Sequence, residues 1–267
     1  MNPAALIEVD RYPLADPVRN AYGAAVAFAR AGLRATGAAE LAGFLSPAGL
    51  LACLADAEGL SSGAYRSEGE GSAYLEGPGA WPADHPRCIR MPYRVGVVAY
   101  DQFPATSPLR CLYEWPPLLA FIRDVLGTKA LFRYADPLGA LNLAVMGDGD
   151  ELQWHYDQTD FVVSLALRAA VNGGHFEVAP RLRNAGDENY AQVAQVLAGG
   201  SARVETLPLV AGTLLLFEGR NSLHRVSPIA GEPARLVALL GYDNAPATCS
   251  TPQLQRKRYG RVLPMPA

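Results

Sequence analysis

A histidine and an aspartate stand two residues apart in the segment QWHYDQTD, immediately before an apolar run. His155 and Asp157 flank Tyr156, and the 267-residue chain has only four histidines. Residues two apart in a β-strand lie on the same face, so this imidazole and carboxylate would point the same way. Such a pair could hold a metal ion from one side, although an H-x-D sequence is also common at solvated strand edges.

A third ligand is available in the segment EGRNSLHRV, which follows the apolar run TLLLF and a turn. This arrangement lets His224 fold back towards His155 and Asp157. Two histidines and one carboxylate with open coordination positions form the ligand set of non-haem Fe(II) oxygenases. The sequence therefore predicts that these three residues are the metal ligands and the catalytic centre.

An arginine stands at the head of the strand-like run RLVALLGY, eleven positions after the second histidine (235 − 224). An unpaired charge buried at the start of an inward-facing strand would be costly. The guanidinium fork of Arg235 matches a carboxylate. We therefore expect Arg235 to bind an anion.

The order of these motifs resembles the Fe(II)/2-oxoglutarate-dependent oxygenase superfamily. The likeness covers about 140–243 and consists of H-x-D, GG-x-F-E, T-x-x-x-F-x-G, HRV-x-P and G-x-x-x-R. It implies a double-stranded β-helix, iron held by the three ligands, and Arg235 bound to the distal carboxylate of 2-oxoglutarate. Many members have a serine or threonine where this chain has Val237, so another group would complete the clamp. The candidates are Tyr134, Asn142 and Thr213.

A closer likeness extends upstream. The segments RVGVVAYDQFP, RYADPL, WHYDQTDFVVS, DENY and GYDNAP are similar to those of the carrier-independent amino-acid halogenases and their hydroxylase relatives. In those halogenases a glycine replaces the carboxylate ligand and opens a site for chloride, whereas this chain keeps Asp157. The resemblance thus implies hydroxylation of a free amino acid, with Fe(II), 2-oxoglutarate and O2 consumed and succinate and CO2 formed. No carrier protein is expected.

Several polar residues are candidates for binding the substrate. Arg94 or Arg90 could hold the α-carboxylate by bidentate pairing, or face solvent. Asp136 could meet the substrate amine, but a turn-forming D-P pair explains it equally well. Gln158 and Asp160 flank the predicted metal strand and are expected to line the pocket.

The elements that must position these residues change along the chain. Helical periodicity and end signals predict helices over 17–37, 46–60, 115–127 and 187–199. The Gly-, Ser- and Pro-rich stretch 61–92 is typical of a long loop, which we expect to act as a lid or substrate loop. Short β-branched or aromatic runs predict strands at 94–100, 141–146, 161–168, 174–179, 213–217 and 235–242.

Helices followed by many strands predict an α+β fold, namely a double-stranded β-helix (jelly-roll or cupin-like) with an N-terminal helical buttress. We expect one oxygenase domain over 1–267. Within it, 1–93 would be helix and loop packed on the core, 94–243 the β-helix core, and 244–267 a C-terminal tail. The basic run QRKRYGR in that tail is expected to be solvated.

Bulk properties limit the possible partners. The net charge of −3 gives no electrostatic reason to expect a nucleic-acid or membrane partner. No apolar stretch approaches the ~20 residues that span a bilayer, and the N-terminus lacks the pattern of a signal peptide. The four scattered cysteines are expected to be free thiols of a cytoplasmic protein.

Two alternatives stay open. The same iron site could catalyse desaturation, cyclisation or halogenation, because the outcome depends on how the substrate is posed. The chain could also be a non-catalytic, cupin-like binder of small molecules.

Overall fold

The computed structural model describes residues 1–75, 77, 79–200 and 203–264. Within these residues the α-helices are α1 (Asn20–Thr36), α2 (Pro47–Ser61), α3 (Pro108–Glu114), α4 (Pro116–Leu126), α5 (Tyr190–Leu197) and α6 (Pro252–Tyr259). The strands are β1 (Ala38–Leu41), β2 (Tyr65–Gly71), β3 (Met91–Val98), β4 (Phe132–Arg133), β5 (Leu141–Met146), β6 (Leu152–His155), β7 (Val162–Arg168), β8 (Asn172–Gly173), β9 (Phe176–Ala179), β10 (Glu205–Leu207), β11 (Leu214–Phe217), β12 (Leu223–Val226), β13 (Ile229–Ala230), β14 (Arg235–Leu240) and β15 (Tyr242–Asp243).

Two antiparallel sheets make the core. The major sheet has the strand order β1-β11-β7-β14-β5-β3-β2, and the minor sheet has the order β10-β9-β12-β6. From β5 onwards the chain passes repeatedly between the sheets: β5, β7, β11 and β14 join the major sheet, while β6, the β9–β10 pair and β12 join the minor one. This alternation is the double-stranded β-helix, so the predicted α+β fold is confirmed.

Alternating side chains on β5 divide the interior of the protein into two regions. Leu141 and Leu143 face the helices that cover the major sheet, whereas Asn142 and Met146 face the space between the sheets. We call the apolar cluster between the sheets the barrel core; its buried members include Val95, Val97, Phe176, Val178, Leu215, Phe217, Val226 and Tyr259. The candidate site lies along this inter-sheet space.

The N-terminal helices form the predicted buttress, and their ends follow from local chemistry. Helix α1 ends at Gly37, which adopts the left-handed conformation (φ 74°) and donates its N–H to the carbonyl of Leu33. Helix α2 begins after Ser46, whose hydroxyl accepts the N–H of Gly49 at 3.0 Å, with Pro47 in the first helical position. Apolar side chains of α1, α2, α3 and α4 pack with the outward face of the major sheet.

The region before residue 94 contains more strand than the sequence predicts. Strand β2 lies within the predicted loop 61–92 and pairs with β3 along its whole length, while β1 pairs with β11. Both strands extend the major sheet. The glycine-rich sequence of β2 gives no apolar alternation, so its strand depends on pairing with β3. Residues 76 and 78 of the predicted loop lie outside the described residues.

The predicted tail contains helix α6, which the sequence analysis did not anticipate. The Thr251 hydroxyl caps it by accepting the N–H of Leu254, and Gly260 ends it in the left-handed conformation. The basic residues 256–258 are exposed, as expected, but Gln255 and Tyr259 are buried. Most of the run QRKRYGR therefore belongs to a docked helix and is not a fully solvated segment. Residues 265–267 of the tail lie outside the described part.

None of the helices in the described ranges is both long and apolar enough to cross a membrane.

Candidate metal centre and its surroundings

The two histidines meet because β6 and β12 are neighbours in the minor sheet. His155 and His224 are direct partners in the antiparallel register, and their ring centroids are 4.2 Å apart. Directly opposed residues on paired strands project from the same face, which here is the face turned towards the major sheet. Phe176 and Phe217 pack against His224, so this ring is held among apolar side chains.

The aspartate enters the site just beyond the end of β6. The Asp157 N–H donates to the carbonyl of Gly219 at 3.1 Å, which fixes the turn. Asp157 Oδ2 is then 3.1 Å from His224 Nε2, and Asp157 Oδ1 is 4.0 Å from His155 Nε2. One ligand atom from each of the three residues lies within 4.8 Å of the others. The structure thus brings the three predicted metal ligands together.

Backbone carbonyls set the tautomer of both rings. Nδ1 of His155 is 2.7 Å from the carbonyl of Gln153, and Nδ1 of His224 is 2.9 Å from that of Ser222. A carbonyl only accepts, so each Nδ1 is the donor and each neutral ring presents Nε2 as a lone pair. Among the described residues, no hydrogen-bond donor reaches the buried Asp157 Oδ2. Converging lone pairs with no donor between them fit a bound cation.

Burial and nearby charges favour the protonation states in which two of these side chains bind a metal. Burial lowers the pKa of His155 to about 4, and the nearby His224 acts in the same direction, so His155 is neutral at physiological pH. Burial opposes ionisation of Asp157, but the electrostatic influence of the neighbouring His224 outweighs it and holds the pKa of that carboxyl well below its usual range. A neutral imidazole and a carboxylate are the forms that bind a metal.

Glycine is required beside the aspartate. A Cβ atom added at Gly219 would collide with Asp157 Oδ2 and would lie 2.9 Å from Val162 Cγ2. The carboxylate therefore occupies the space that a side chain at position 219 would fill. Sequence reasoning used this glycine only as part of a motif and missed its contact with the carboxylate.

Arg235 heads β14 and is 5% exposed. Its side-chain contact is the sulfur of Met146, 3.9 Å from Nη1, and within the described residues no carboxylate pairs with it. Burial lowers its pKa to about 10. A buried guanidinium without an anion is destabilising, so this site fits an anionic group that none of the described residues supplies.

The other three predicted co-substrate residues have different surroundings. Asn142 is buried, but its Oδ1 accepts the Tyr259 hydroxyl at 2.5 Å and its Nδ2 donates to the carbonyl of Gly139 at 3.0 Å. Its amide is thus engaged within the protein. Thr213 is buried beside β11. Burial raises the pKa of Tyr134 to about 12.

Two predicted substrate arginines are paired elsewhere. Arg94 shares its face of β3 with Val98, which packs with the helices that cover the major sheet, while Val95 and Val97 belong to the barrel core. Arg94 Nε is 3.4 Å from Glu68 Oε2 on the adjacent strand, and the Arg94 side chain is half-exposed. Arg90 Nε is 3.7 Å from Glu70 Oε2. The structure does not bring either guanidinium to the triad.

The three remaining candidates lie in different surroundings. Asp136 is buried and accepts hydrogen bonds from the N–H groups of Leu138 and Ser250 and from Gln255 Nε2. Its carboxylate therefore connects these segments of the chain and is not open to a substrate amine. The Asp160 carboxylate is exposed and pairs with Arg220 at 2.5 Å. Gln158 is exposed just beyond Asp157.

Two polar groups escaped the sequence analysis. Ser164 is buried on the barrel-facing side of β7, and a lone serine inside the apolar run FVVSLALR was the available signal. Arg258 lies on α6, and its charge reaches His155, Asp157 and Tyr134, in each case lowering the pKa. The basic run around it resembled a solvated tail, so no local pattern distinguished it.

Comparison with solved structures shows the same fold at low identity. The epimerase SnoN of nogalamycin biosynthesis, described as non-haem and alpha-ketoglutarate-dependent, aligns with a TM-score of 0.57 and 18% identity over 83% of this chain and 81% of its own. AviO1 from Streptomyces viridochromogenes aligns with a TM-score of 0.56 and 20% identity, over 86% of this chain and 98% of its own. A 2OG-Fe(II) oxygenase family protein from Burkholderia pseudomallei aligns with a TM-score of 0.52 and 16% identity, over 82% of this chain and 91% of its own.

Sequence comparison identifies the family. No curated protein matches the chain. The family model described as Halogenase D matches residues 91–255, which is more than half of the chain and includes all three residues of the triad. This chain therefore belongs to the Halogenase D family and is an oxidoreductase with the fold of the 2-oxoglutarate- and Fe(II)-dependent oxygenases.

Proposed function

We propose that this protein is an Fe(II)/2-oxoglutarate-dependent hydroxylase of a free amino acid or a similar small polar molecule. The observation that carries the proposal is the carboxylate at position 157, whose Oδ2 lies 3.1 Å from His224 Nε2. With His155 it completes a set of two histidines and one carboxylate, which suits non-haem Fe(II).

In this proposal His155, Asp157 and His224 hold the iron through two Nε2 atoms and a carboxylate oxygen. Arg235 binds the distal carboxylate of 2-oxoglutarate, because its buried guanidinium has no anion of its own among the described residues. Thr213 and Ser164 are the buried hydroxyls proposed to stand in for the group that Val237 lacks. When bound, iron and 2-oxoglutarate supply the oxidising chemistry that uses O2.

The protein's own contribution is positioning and exclusion of water. The carbonyls of Gln153 and Ser222 orient the two imidazoles, and the Gly219 carbonyl orients the backbone of Asp157. The side chains of Phe176 and Phe217 shield His224. Ligands held in this way leave the open side of the metal for co-substrate and substrate.

Halogenation is the second candidate, because the matching family model is named for a halogenase. A metal-bound chloride would need a coordination position near the one that Asp157 fills. We therefore favour transfer of oxygen over transfer of a halogen. Desaturation and cyclisation use the same ligands, and proteins of this fold include the carbocyclase SnoK as well as SnoN.

The test is a screen of the purified protein with Fe(II), 2-oxoglutarate and each standard amino acid, with and without chloride. Succinate release that depends on one amino acid, together with a product heavier by one oxygen atom, supports the proposal. A chlorinated product would favour the alternative, and a product lighter by two hydrogen atoms would indicate desaturation or ring closure. A non-catalytic binder would form no succinate above the background without amino acid.

We propose that the whole chain acts as one oxygenase domain in the cytoplasm, and that its substrate is free and not attached to a carrier protein. Neither a nucleic acid nor a membrane takes part in it.

A further inference from the structure

The turn between β11 and β12, residues 218–222, contacts two of the three residues of the triad; we call it the ligand turn. Its Gly219 carbonyl accepts the backbone N–H of Asp157 at 3.1 Å, and its Ser222 carbonyl lies 2.9 Å from Nδ1 of His224. A side chain at Gly219 would also collide with the Asp157 carboxylate. The position of the ligand turn therefore determines where Asp157 and His224 point.

Arg181 holds the ligand turn at both ends. Its guanidinium pairs side-on with the Glu218 carboxylate, with Nε 2.7 Å from Oε2 and Nη2 2.8 Å from Oε1. Its backbone N–H donates to Ser222 Oγ at 3.1 Å. The Ser222 N–H also donates to the Glu218 carbonyl at 2.9 Å, which closes the turn. Because two parallel hydrogen bonds from a planar guanidinium fix the orientation of a carboxylate, Arg181 defines the position of the turn as a unit.

The same guanidinium attaches the ligand turn to the N-terminal buttress. Arg181 Nη1 donates to the carbonyl of Arg34 at 2.8 Å, and Nη2 donates to that of Leu33, both near the end of α1. The Glu218 carboxylate lies at the same helix end, 3.5 Å from where a Cβ atom of Gly37 would stand. The C-terminal end of a helix carries partial negative charge, so this carboxylate would be repelled there without a cation beside it. Arg181 therefore joins α1 to the ligand turn.

The backbone of Arg181 has a conformation that arginine rarely adopts. Its φ is 48°, in the left-handed region, where glycine and asparagine are the usual residues. Such a conformation persists only where the surrounding structure over-determines it, and it occurs most often at functional sites. Here the contacts of the guanidinium and of the N–H group supply that constraint.

We propose that Arg181 is a positioning residue for the metal centre. It holds the ligand turn in the place from which that turn orients Asp157 and His224. The inference rests on the proposed function and adds a residue that is not itself a metal ligand. The paired side chains of Arg181 and Glu218 are 42% and 31% exposed. Since exposed ion pairs contribute little to stability, loss of this pair should change metal binding more than the melting temperature.

The experiment compares wild type with Arg181→Gln, Arg181→Lys, Glu218→Gln and the double variant of Arg181→Gln and Glu218→Gln. Fe(II) affinity is measured without oxygen, 2-oxoglutarate or amino acid, so the readout does not depend on turnover. Co(II) is the second probe, because its visible absorption reports the arrangement of its ligands. The melting temperature of each metal-free variant records how far its fold is destabilised.

Arg110→Gln is the matched control. Arg110 Nε is 2.9 Å from Glu114 Oε1, and its Nη1 donates to the carbonyl of Phe103 at 2.9 Å. It thus combines a glutamate pair with a backbone carbonyl, as Arg181 does. It lies on α3, whose apolar side chains pack on the outward face of the major sheet. The control therefore removes the same kinds of contact without touching the ligand turn.

We expect Arg181→Gln to weaken Fe(II) binding by about 10- to 100-fold, as is typical when a group that orients metal ligands is replaced, and to change the Co(II) absorption. Arg181→Lys should restore part of the affinity, because it keeps the charge but not the paired hydrogen bonds. Glu218→Gln should weaken binding by a similar factor. The double variant should be no weaker than either single variant, since both act through one contact. Arg110→Gln should bind Fe(II) as wild type does.

Four results would count against the inference. Wild-type Fe(II) affinity and an unchanged Co(II) absorption in Arg181→Gln would refute the positioning role and leave the hydroxylase proposal intact. Losses that add up in the double variant would show that Arg181 does not act through Glu218. An equal loss of affinity in Arg110→Gln would reduce the effect to general stability. If the wild type itself bound no Fe(II), this inference and the proposed function would fail together.

Discussion

Asp157 Oδ2 and His224 Nε2 face each other at 3.1 Å, while the other nitrogen of His224 donates to a backbone carbonyl. In the neutral ring both facing atoms carry lone pairs, so only a shared proton or a metal ion can stabilise the contact. The backbone has already oriented the ring, and a metal ion therefore meets ligands that need little rearrangement.

Replacement of His224 should abolish metal binding. His224→Ala leaves only His155 and Asp157, a two-point site, so we expect loss of stoichiometric Fe(II) and of succinate formation. Metal content after dialysis provides the measurement. His85→Ala is the matched control, because His85 stacks on Trp81 at 4.1 Å and takes no part in the triad. A His224→Ala protein that kept one tightly bound iron would refute the ligand assignment.

Gly219→Ala should weaken iron binding through Asp157. The new methyl group would displace the carboxylate, and displacing a ligand's support typically costs about 10- to 100-fold in metal affinity. Gly59→Ala is the control, since nothing lies within 4 Å of a Cβ at that position. Metal titration should show that the effect of Gly219→Ala largely disappears in an Asp157→Gly background. An equal loss in both backgrounds would mean that Gly219 acts on the fold and not on Asp157.

Asp157→Gly should remove hydroxylation and open the metal to halide. We expect little hydroxylated product and, with chloride present, a chlorinated one, both measured by mass spectrometry against Asp157→Asn. The reason is that glycine leaves a coordination position that no protein atom fills. Hydroxylation at the wild-type rate in Asp157→Gly would show that the aspartate is not a ligand.

Arg235→Met should stabilise the protein when 2-oxoglutarate is absent and remove its stabilisation by 2-oxoglutarate. Replacing a buried, unpaired guanidinium with an apolar side chain of similar length avoids a desolvation cost, and we expect a gain in unfolding free energy of about 1 kcal/mol or more. Melting temperatures with and without 2-oxoglutarate test both parts, since a ligand that binds only the folded state raises this temperature. Arg94→Met, at a half-exposed site, should respond to 2-oxoglutarate as wild type does; the same response in Arg235→Met would move the clamp elsewhere.

Asp136→Asn should destabilise the connection between α6 and the barrel. Burial opposes ionisation of Asp136, but hydrogen bonds led by the N–H of Leu138 outweigh it and lower its pKa. Because the folded pKa lies below the unfolded value of about 3.9, the carboxylate contributes stability above that pH and the contribution is lost as pH falls through the folded pKa. We expect Asp136→Asn to cost about 1–3 kcal/mol at neutral pH, since the amide nitrogen would face a donor.

Urea unfolding at neutral and acidic pH measures this effect. The difference between wild type and Asp136→Asn should shrink in acid, where the wild-type carboxyl becomes protonated. Asp160→Asn is the comparison, because its exposed pair with Arg220 should contribute little. If the loss of unfolding free energy in Asp136→Asn did not change with pH, ionisation of Asp136 would not be the source of the stabilisation.

The sequence by itself determined much of the fold and the centre of the site. Period-two spacing predicts that His155 and Asp157 lie on one side, although Asp157 stands in the turn just after β6. Gly37 and Ser46 mark helix ends through backbone conformation and capping. These features depend on residues a few positions apart, whose geometry the backbone fixes locally. The anion-binding role expected of Arg235 could also be predicted from the sequence, because a charge buried at the head of an inward-facing strand needs an anion.

Only the tertiary structure decided what surrounds that centre. The fit of Gly219 against Asp157 depends on contact between segments 62 positions apart (219 − 157). Helix α6 docks on the barrel through Gln255 and Tyr259, and Arg94 is turned away because of the face of β3 that it occupies. A local pattern reveals the period of a strand or helix but not which face meets the barrel, because long-range packing makes that choice.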